Sequence, residues 1–456
     1  MISRATKKRL GGFAVVTALI LAVFIGAATY GEQNRLRRKP ADQERILRDL
    51  VRKMDIRVPT DEYAADRILV KFRPTVSALS VGAILTAYGS PNFKTVADIG
   101  VLKVQIPSGT SIASFLYALR LNPDVEYAEP DYRTRVQVTP DDELFWRQYA
   151  LNNTGQGSAL PDSPDATQGA DIKAITAWDM TTGLSDVIIA VLDTGVDLNH
   201  PDIKNKLVSA GRDFINDDND ATDDNWHGTH VAGIAGAETN NGQGIAGVAW
   251  NSKILPVKIL DQDGSGYYSQ LIDGIVWAAD QNAKVVNMSL GGDFPSNALL
   301  EAVQYAHEKG VIVVAAAGND GTFVSYPAAY DDFCLAVAAT DYNDKHTSWS
   351  NTGIQVDIAA PGDRILSLVP TWLFGSSAQP YAFASGTSMA APHVAGFAAL
   401  IRSLKSWLSV DEVMNVIRYS ADDVNSSTLP GKDIEIGYGR INMERALVPY
   451  KLTSAN

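Results

Sequence analysis

From about residue 142 onward the chain alternates apolar runs of strand length with segments of helical length. Strands are expected at 187–192, 253–260, 284–290, 311–316 and 334–339. Helices are expected at 268–280, 296–309 and 387–403, and a late one begins at Ser409, where Glu412 completes a capping box. Apolar strands separated by helices mark a parallel sheet covered on both faces, so residues 142–456 predict an α/β, doubly wound fold. In such folds the functional groups gather at the carboxyl ends of the strands.

Residues 63–135 carry a different rhythm. A strand at 67–72, a helix at 81–88, an alternating strand at 101–106, a helix at 111–121 capped by Ser111, and a strand at 125–129 follow one another. With one strand left unplaced, that order fits a small ferredoxin-like α+β unit, a split βαβ. Its acidic, Pro-containing exit leads into a polar stretch at 133–142, the expected boundary. Residues 31–62 read as a charged linker.

At the N-terminus Lys7, Lys8 and Arg9 precede an uncharged run over 11–30, with Arg35, Arg37, Arg38 and Lys39 beyond it. This is a signal peptide or a signal anchor, and basic residues on both sides leave the choice open. The shortness of the run favours cleavage, so a secreted or periplasmic protein is expected, with a membrane tether through 11–30 as the alternative. Residues 1–60 hold 13 Lys and Arg against 5 Asp and Glu, a net of +8; against −13 for the whole chain, this leaves −21 on residues 61–456. An acidic body argues against nucleic acid as a partner and suits bound cations. One cysteine, Cys334, lies in an apolar run and reads as a buried strand thiol, so no intramolecular disulfide can form.

The chemistry is concentrated in four segments. Gly386-Thr387-Ser388-Met389-Ala390 places a hydroxyl at the mouth of a helix. The strand at 187–192 stops at Asp193-Thr194-Gly195, and a carboxylate at the end of a buried strand needs a partner. Asn225-Trp226-His227-Gly228-Thr229-His230 opens a second small-residue helix with His227 at its start; one ring nitrogen can be held by Asp193 while the other takes the proton of Ser388. A third strand ends in Ala317-Gly318-Asn319, delivering an amide suited to a developing oxyanion.

These four segments, in the order Asp, His, Ser, resemble the subtilases, the subtilisin-like serine proteases, and most of all their thermitase-like members. The resemblance implies Asp193 as the orienting acid, His227 as general acid and base, Ser388 as nucleophile and Asn319 in the oxyanion hole with the Ser388 backbone N–H. It implies a serine endopeptidase acting on polypeptides through an acyl-enzyme, and a monomer is expected. Gly264, Ser265 and Gly266, with Ser289, Leu290 and Gly291, match the segments flanking the family's cleft, where an extended substrate pairs as an added strand. The plain alternative is ordinary turn glycine. Residues 320–327 are expected to shape the primary side-chain pocket. The unit at 63–135 resembles the family's inhibitory propeptide, a chaperone and inhibitor of its own enzyme in cis that is removed by self-processing.

Calcium is the expected cofactor. Residues 213–224 hold six Asp in twelve positions, without the Gly and closing Glu of an EF-hand. The thermitase-like relatives carry a calcium site there, implying Asp213, Asp218, Asp220 and Thr222 as ligands. Asn216 stands where those relatives have Asp, and Asp217 is the candidate substitute. A second family site implies Asp142, Asp202 and Asn241 with the carbonyls of Glu238, Gln243 and Ile245. Zinc is set aside, because His227 and His230 have no third ligand. His230 and His393 read as packed residues, His200 as a loop residue, and His307 and His346 as surface residues. Asp193-Thr194-Gly195 is also the aspartic-protease tripeptide, but that chemistry needs two copies and the chain has one. A binding protein on the same scaffold would have lost a triad member, and none is missing.

Overall fold

The computed structural model describes residues 63–96, 99–132, 138–162, 165–208, 211–373 and 379–447. The apolar run at 11–30 and the linker at 31–62 lie outside them. The chain forms two compact units that part at about residue 136.

In the first unit four strands, β1 (Tyr63–Phe72), β2 (Phe93–Val96), β3 (Val101–Gln105) and β4 (Val125–Tyr132), form an antiparallel sheet in the order β2-β3-β1-β4. Helices α1 (Ala78–Ala87) and α2 (Ile112–Arg120) begin on Ser77 and Ser111, whose hydroxyls accept the backbone N–H three residues on. The order βαββαβ is the ferredoxin-like one, and β2 is the strand that the sequence pattern left unplaced. The reason is visible in β2: all four of its residues are exposed at the sheet edge, so no alternation marks it. The core is Ile68, Val70, Leu85, Val104, Phe115, Leu119 and their neighbours.

The second unit is built on seven parallel strands in the order β11-β10-β9-β8-β5-β7-β6. They are β5 (Ile188–Asp193), β6 (Arg212–Asp213), β7 (Lys253–Lys258), β8 (Val285–Met288), β9 (Ile312–Ala316), β10 (Leu335–Thr340) and β11 (Val356–Pro361). All of β8 to β11 is buried, as expected for strands covered on both faces. After the short α3 (Ala174–Trp178), the helices are α4 (His227–Gly236), α5 (Tyr268–Asp280), α6 (Asn297–Glu308), α7 (Thr387–Leu404), α8 (Val410–Ser420) and α9 (Met443–Leu447). Ser409 and Glu412 form the expected capping box on α8. A hairpin, β12 (Ile365–Leu368) with β13 (Tyr381–Ala384), packs on α4.

Helix α7 is apolar on every side and buried from Thr387 to Arg402, so it is the centre of the unit, packed against α4, β8, β9 and β10. Strand order reverses about β5, and Asp193, Ser289 and Asn319 follow the carboxyl ends of β5, β8 and β9. Two strands of the parallel sheet escaped the sequence pattern, as did both strands of the hairpin. β6 is two residues long, and β11 carries Asp357 and ends on a proline. Asp357 is tolerated there because Arg418 of α8 binds it at 2.8 Å, and breaking such a buried pair costs about 3–5 kcal/mol. Cys334, ahead of β10, is fully buried, and burial pushes its thiol up.

Candidate active site

Asp193 and His227 are brought together. His227 Nδ1 lies 2.8 Å from Asp193 Oδ1, and Asp193 is wholly buried. Close approach is allowed by glycine: a Cβ on Gly228 would stand 2.1 Å from the Gly195 carbonyl, so no side chain fits where α4 meets the Asp193-Thr194-Gly195 turn. Gly195 itself has a φ of 108°. The Thr194 N–H donates to Asp193 Oδ1 at 2.8 Å, whereas Oδ2 has no partner among the described residues.

Three effects act on the His227 proton. Burial pulls its pKa down, the charge and hydrogen bond of Asp193 push it up, and the charge of Asp223 adds to the push; the net shift is upward. The positive end of α4 opposes protonation by only about 0.3–1 kcal/mol, less than the about 1.5–3 kcal/mol of a charged hydrogen bond, so the carboxylate wins.

A second buried acid frames the histidine. Asp223 Oδ1 accepts from Thr194 Oγ1 at 2.8 Å and from the N–H groups of Asn225 and Trp226 at 3.0 Å, and Oδ2 accepts from the Thr229 N–H at 2.9 Å and hydroxyl at 2.6 Å. With the bonds from the Gly228 N–H to Thr194 Oγ1 at 2.9 Å and from the His227 N–H to Asn225 Oδ1 at 3.2 Å, these bonds satisfy the open N–H groups at the start of α4. They also hold Trp226, just ahead of His227, at a φ of 140°, a strained value for a residue with a side chain. Lys258, buried at the end of β7, donates to the carbonyls of Thr194 and Leu260 at 2.8 Å and to Asp224 at 2.6 Å.

Ser388 is the second residue of α7 and is nearly buried. Its hydroxyl donates to the Ser289 carbonyl at 3.1 Å, and the Ser289 hydroxyl donates back to the Ser388 carbonyl at 2.8 Å. The structure thus places the serine against Ser289, with no Ser388–His227 hydrogen bond among the described residues. Asn319 is turned by Thr387: its Oδ1 accepts the Thr387 N–H at 2.8 Å and hydroxyl at 2.9 Å, while the Gly318 N–H donates to the Thr387 hydroxyl at 3.2 Å. The Asn319 Nδ2 end is left facing the start of α7. A Cβ on Gly386 would stand 3.6 Å from Asn319 Nδ2 and 3.6 Å from the Ser388 nitrogen, so both donors border one spot.

The chain matches the Subtilase family over residues 185–439, more than half its length, and the Fervidolysin N-terminal prodomain over residues 53–131. It belongs to the subtilase family. It is 40% identical over 391 residues to the Thermophilic serine proteinase of Bacillus sp. (strain AK1), covering 84% of this chain and 88% of that one. To the Thermitase of Thermoactinomyces vulgaris it is 46% identical over 277 residues, 60% of this chain and 93% of that one. A solved structure of proteases from Pseudoalteromonas arctica PAMC 21717 superposes with a TM-score of 0.58 at 32% identity, covering 68% of this chain and 99% of that one. This subtilase is a subtilisin-like serine protease with a prodomain ahead of its parallel-sheet enzyme domain.

The remaining expected residues of the subtilase fall as follows. Gly264, Ser265 and Gly266 form an exposed turn closed by the Asp261 N–H on the Ser265 carbonyl at 2.8 Å. Gly291 is exposed, Leu290 half-buried and Ser289 buried, and Gly292 pairs with Tyr326 through two backbone bonds. Segment 320–327 is held by Asn351, whose Oδ1 accepts from Asp320 at 2.9 Å and Thr322 at 3.0 Å.

Subtilases commonly bind calcium, and the two candidate regions fit it unequally. Asp142 and Asp202 are buried on either side of Asn241: the Asn241 N–H points to Asp142 at 3.4 Å and its amide donates to Asp202 at 2.9 Å. Burial, and then the charges of Asp142 and Glu238, push the Asp202 carboxyl up to about 7 against the hydrogen bonds it accepts. Burial, with Asp141 nearby, also raises Asp142. Two crowded carboxylates raised in this way fit a divalent cation, with the carbonyls of Glu238, Gln243 and Ile245 in the same loop. In the acidic loop, Asp213 is buried but already accepts from Ile215 at 2.6 Å and from Asn216 at 3.0 and 2.9 Å. Asp218 and Asp220 are exposed, each closing a local turn, and Asp220 holds Thr222. Asp217, the candidate substitute for the acid missing at 216, is exposed and pairs with Arg212.

Some histidine expectations need correcting. His230 and His393 are core residues, which burial keeps neutral, and each bonds a backbone carbonyl. His200 is buried, and neither His307 nor His346 is a free surface residue: His307 bonds Asp411 at 2.8 Å and His346 has a buried ring nitrogen. The sequence reading missed Asp223, Thr387 and Lys258 as neighbours of the site. Lys258 left a signal, a lone charge in an apolar strand, whereas Asp223 was masked by the acidic run around it.

Proposed function

We propose that this subtilase is an exported endopeptidase that hydrolyses peptide bonds through an acyl-enzyme and removes its own prodomain. The observation that carries this reading is the buried Asp193–His227 hydrogen bond at 2.8 Å, in a chain where Ser388 opens α7 and Asn319 follows β9. Asp193 holds the imidazole in the tautomer with its proton on Nδ1, leaving Nε2 to act as base. Ser388 turns from the Ser289 carbonyl toward His227, loses its proton to Nε2 and attacks the scissile carbonyl. The resulting oxyanion is met by the Ser388 N–H and the Asn319 amide, the two donors that border one spot. His227 then returns the proton to the leaving amine, and water repeats the sequence to free the acyl group.

The substrate lies extended between the Gly264–Gly266 turn and the Ser289–Gly291 segment. Residues 63–135 serve as inhibitor and folding helper in cis, and the apolar run at 11–30 directs export. Calcium stabilises the enzyme domain through Asp142, Asp202 and Asn241 with the neighbouring carbonyls, and more weakly through Asp213, Asp218, Asp220 and Thr222. The cation would neutralise the crowded carboxylates.

Two experiments test this. A fluorophosphonate should label Ser388 of the wild-type chain and leave a Ser388→Ala chain unlabelled and unprocessed; normal self-processing of that variant would refute the mechanism. Chelation should lower the melting temperature, since calcium at a hundredfold above its Kd adds about 2.7 kcal/mol. Asp202→Asn should remove most of that difference, and Asp218→Asn little of it.

A further inference from the structure

Between α8 and α9 lies a loop that the catalytic reading does not use. Twelve buried side-chain polar atoms lack a partner among the described residues, and four of them fall within residues 423–433: Asp423 Oδ1, both ends of the Asn425 amide, and Asp433 Oδ2. Orphaned buried polar atoms are costly, so three acceptors and one donor in eleven positions call for an explanation.

The loop is closed on itself. Asp423 Oδ2 accepts the Gly431 N–H at 2.7 Å, which brings the first acid against the residues just ahead of the second. The Asn425 carbonyl accepts the N–H groups of Thr428 and Leu429 at 2.9 Å, turning the chain inward. Asp433 is 8% exposed, and its Oδ1 accepts from Glu435 at 2.7 Å and Ile436 at 3.0 Å. One oxygen of each acid is thus spent on the loop's own backbone, and the other is buried and unmet. Burial pushes the Asp423 carboxyl up against the lowering pull of the Gly431 hydrogen bond, and the charge of Asp433 adds a smaller push.

Nearby cations are engaged elsewhere. Lys432 donates to the Ile354 carbonyl at 2.9 Å, and Arg440 bonds Asp344 and Asp422 through its two Nη groups, while its Nε is buried with no partner among the described residues. The imidazole of His346 feels the charges of Glu435 and Asp433, but no three His, Cys, Asp or Glu side chains converge as a metal group among the described residues. The donor set is therefore two carboxylate oxygens and one amide oxygen, the preference of calcium rather than zinc.

We propose that Asp423, Asn425 and Asp433 bind a calcium ion within the loop 423–433, a site separate from the Asp142–Asp202 pocket and from the acidic loop. The ion meets the three orphaned oxygens and ties the chain leaving α8 to the stretch that enters α9.

The test uses the full chain carrying Ser388→Ala, which prevents self-digestion, with and without Asp423→Asn or Asn425→Ala. Asn at 423 can still accept the Gly431 N–H, so the turn survives. Calcium bound per chain after equilibrium dialysis should fall by one in each variant. The melting temperature should fall in excess calcium but not in chelator, where Asp423→Asn should equal or exceed its parent because a buried charge is removed. An unchanged calcium count, or the same shift in melting temperature with and without calcium, would overturn the site and leave the orphaned atoms to water. Should Asp423→Asn fail to fold, the count for Asn425→Ala decides alone.

Discussion

The two halves of the candidate active site are held in different ways. On one side Asp193 and His227 are already joined, framed by a buried acid, a buried lysine and a glycine contact too tight for any side chain. On the other, Ser388 rests against the Ser289 carbonyl and Asn319 is set by a single neighbour, Thr387. The first half is built for electrostatics that cannot be rearranged cheaply, the second for a hydroxyl that must move. In the proposed mechanism the first half supplies a base already held in place, and the second a hydroxyl that must leave the Ser289 carbonyl to engage it.

Substitutions can break this contrast, beginning with the largest effect. Ser388→Ala and His227→Ala should each cost about a million-fold in kcat, a size known for this triad in a subtilisin rather than deduced from these distances. The double variant should lose no more than either single one if the halves act as a unit; a product of the two losses in steady-state kinetics would separate them. Next, Asn319→Ala should cost about 10²–10³-fold in kcat with KM little changed, again the size known for a subtilisin oxyanion donor. A loss confined to KM would place the amide in substrate binding instead.

Thr387→Val should cost less, roughly fivefold in kcat for one hydrogen bond of about 1 kcal/mol, because the backbone N–H still holds Asn319. In the Asn319→Ala background the same change should have no further effect. The smallest effect is on pH. The His227 pKa is raised from its ordinary value of 6.5, so protons bind the base more tightly and kcat/KM should fall, as pH drops, with a midpoint above 6.5. Changes on the serine side should lower the plateau and leave that midpoint in place; movement of the midpoint in Thr387→Val would show that the halves are coupled electrostatically.

A similar contrast separates the acidic regions, and it explains how much the sequence could reveal. The run at 213–224 is dense in aspartate, yet its members go to different tasks: Asp213 to its own turn, Asp217 to Arg212, Asp223 to the start of α4 and Asp224 to Lys258. The loop at 423–433 has no such density but holds the orphaned oxygens. Counting carboxylates along a chain measures supply; only the fold shows which are already satisfied. Strand β11 teaches the same lesson, because Asp357 hides a buried strand until Arg418 arrives from α8.

Apolar runs of strand length and helix-length segments between them were enough to specify a parallel sheet and a small unit ahead of it, while the serine protease came from the resemblance of four reactive segments to the subtilases. Those features are local, since periodicity and strand ends are written in consecutive residues. The direction of the Ser388 hydroxyl, the grip of Thr387 on Asn319, the bond from Lys258 to the Thr194 carbonyl and the burial of Asp433 were decided by contacts between segments far apart in the chain. Hydrogen bonding and desolvation act over a few ångströms in space, a distance that separation along the sequence does not record.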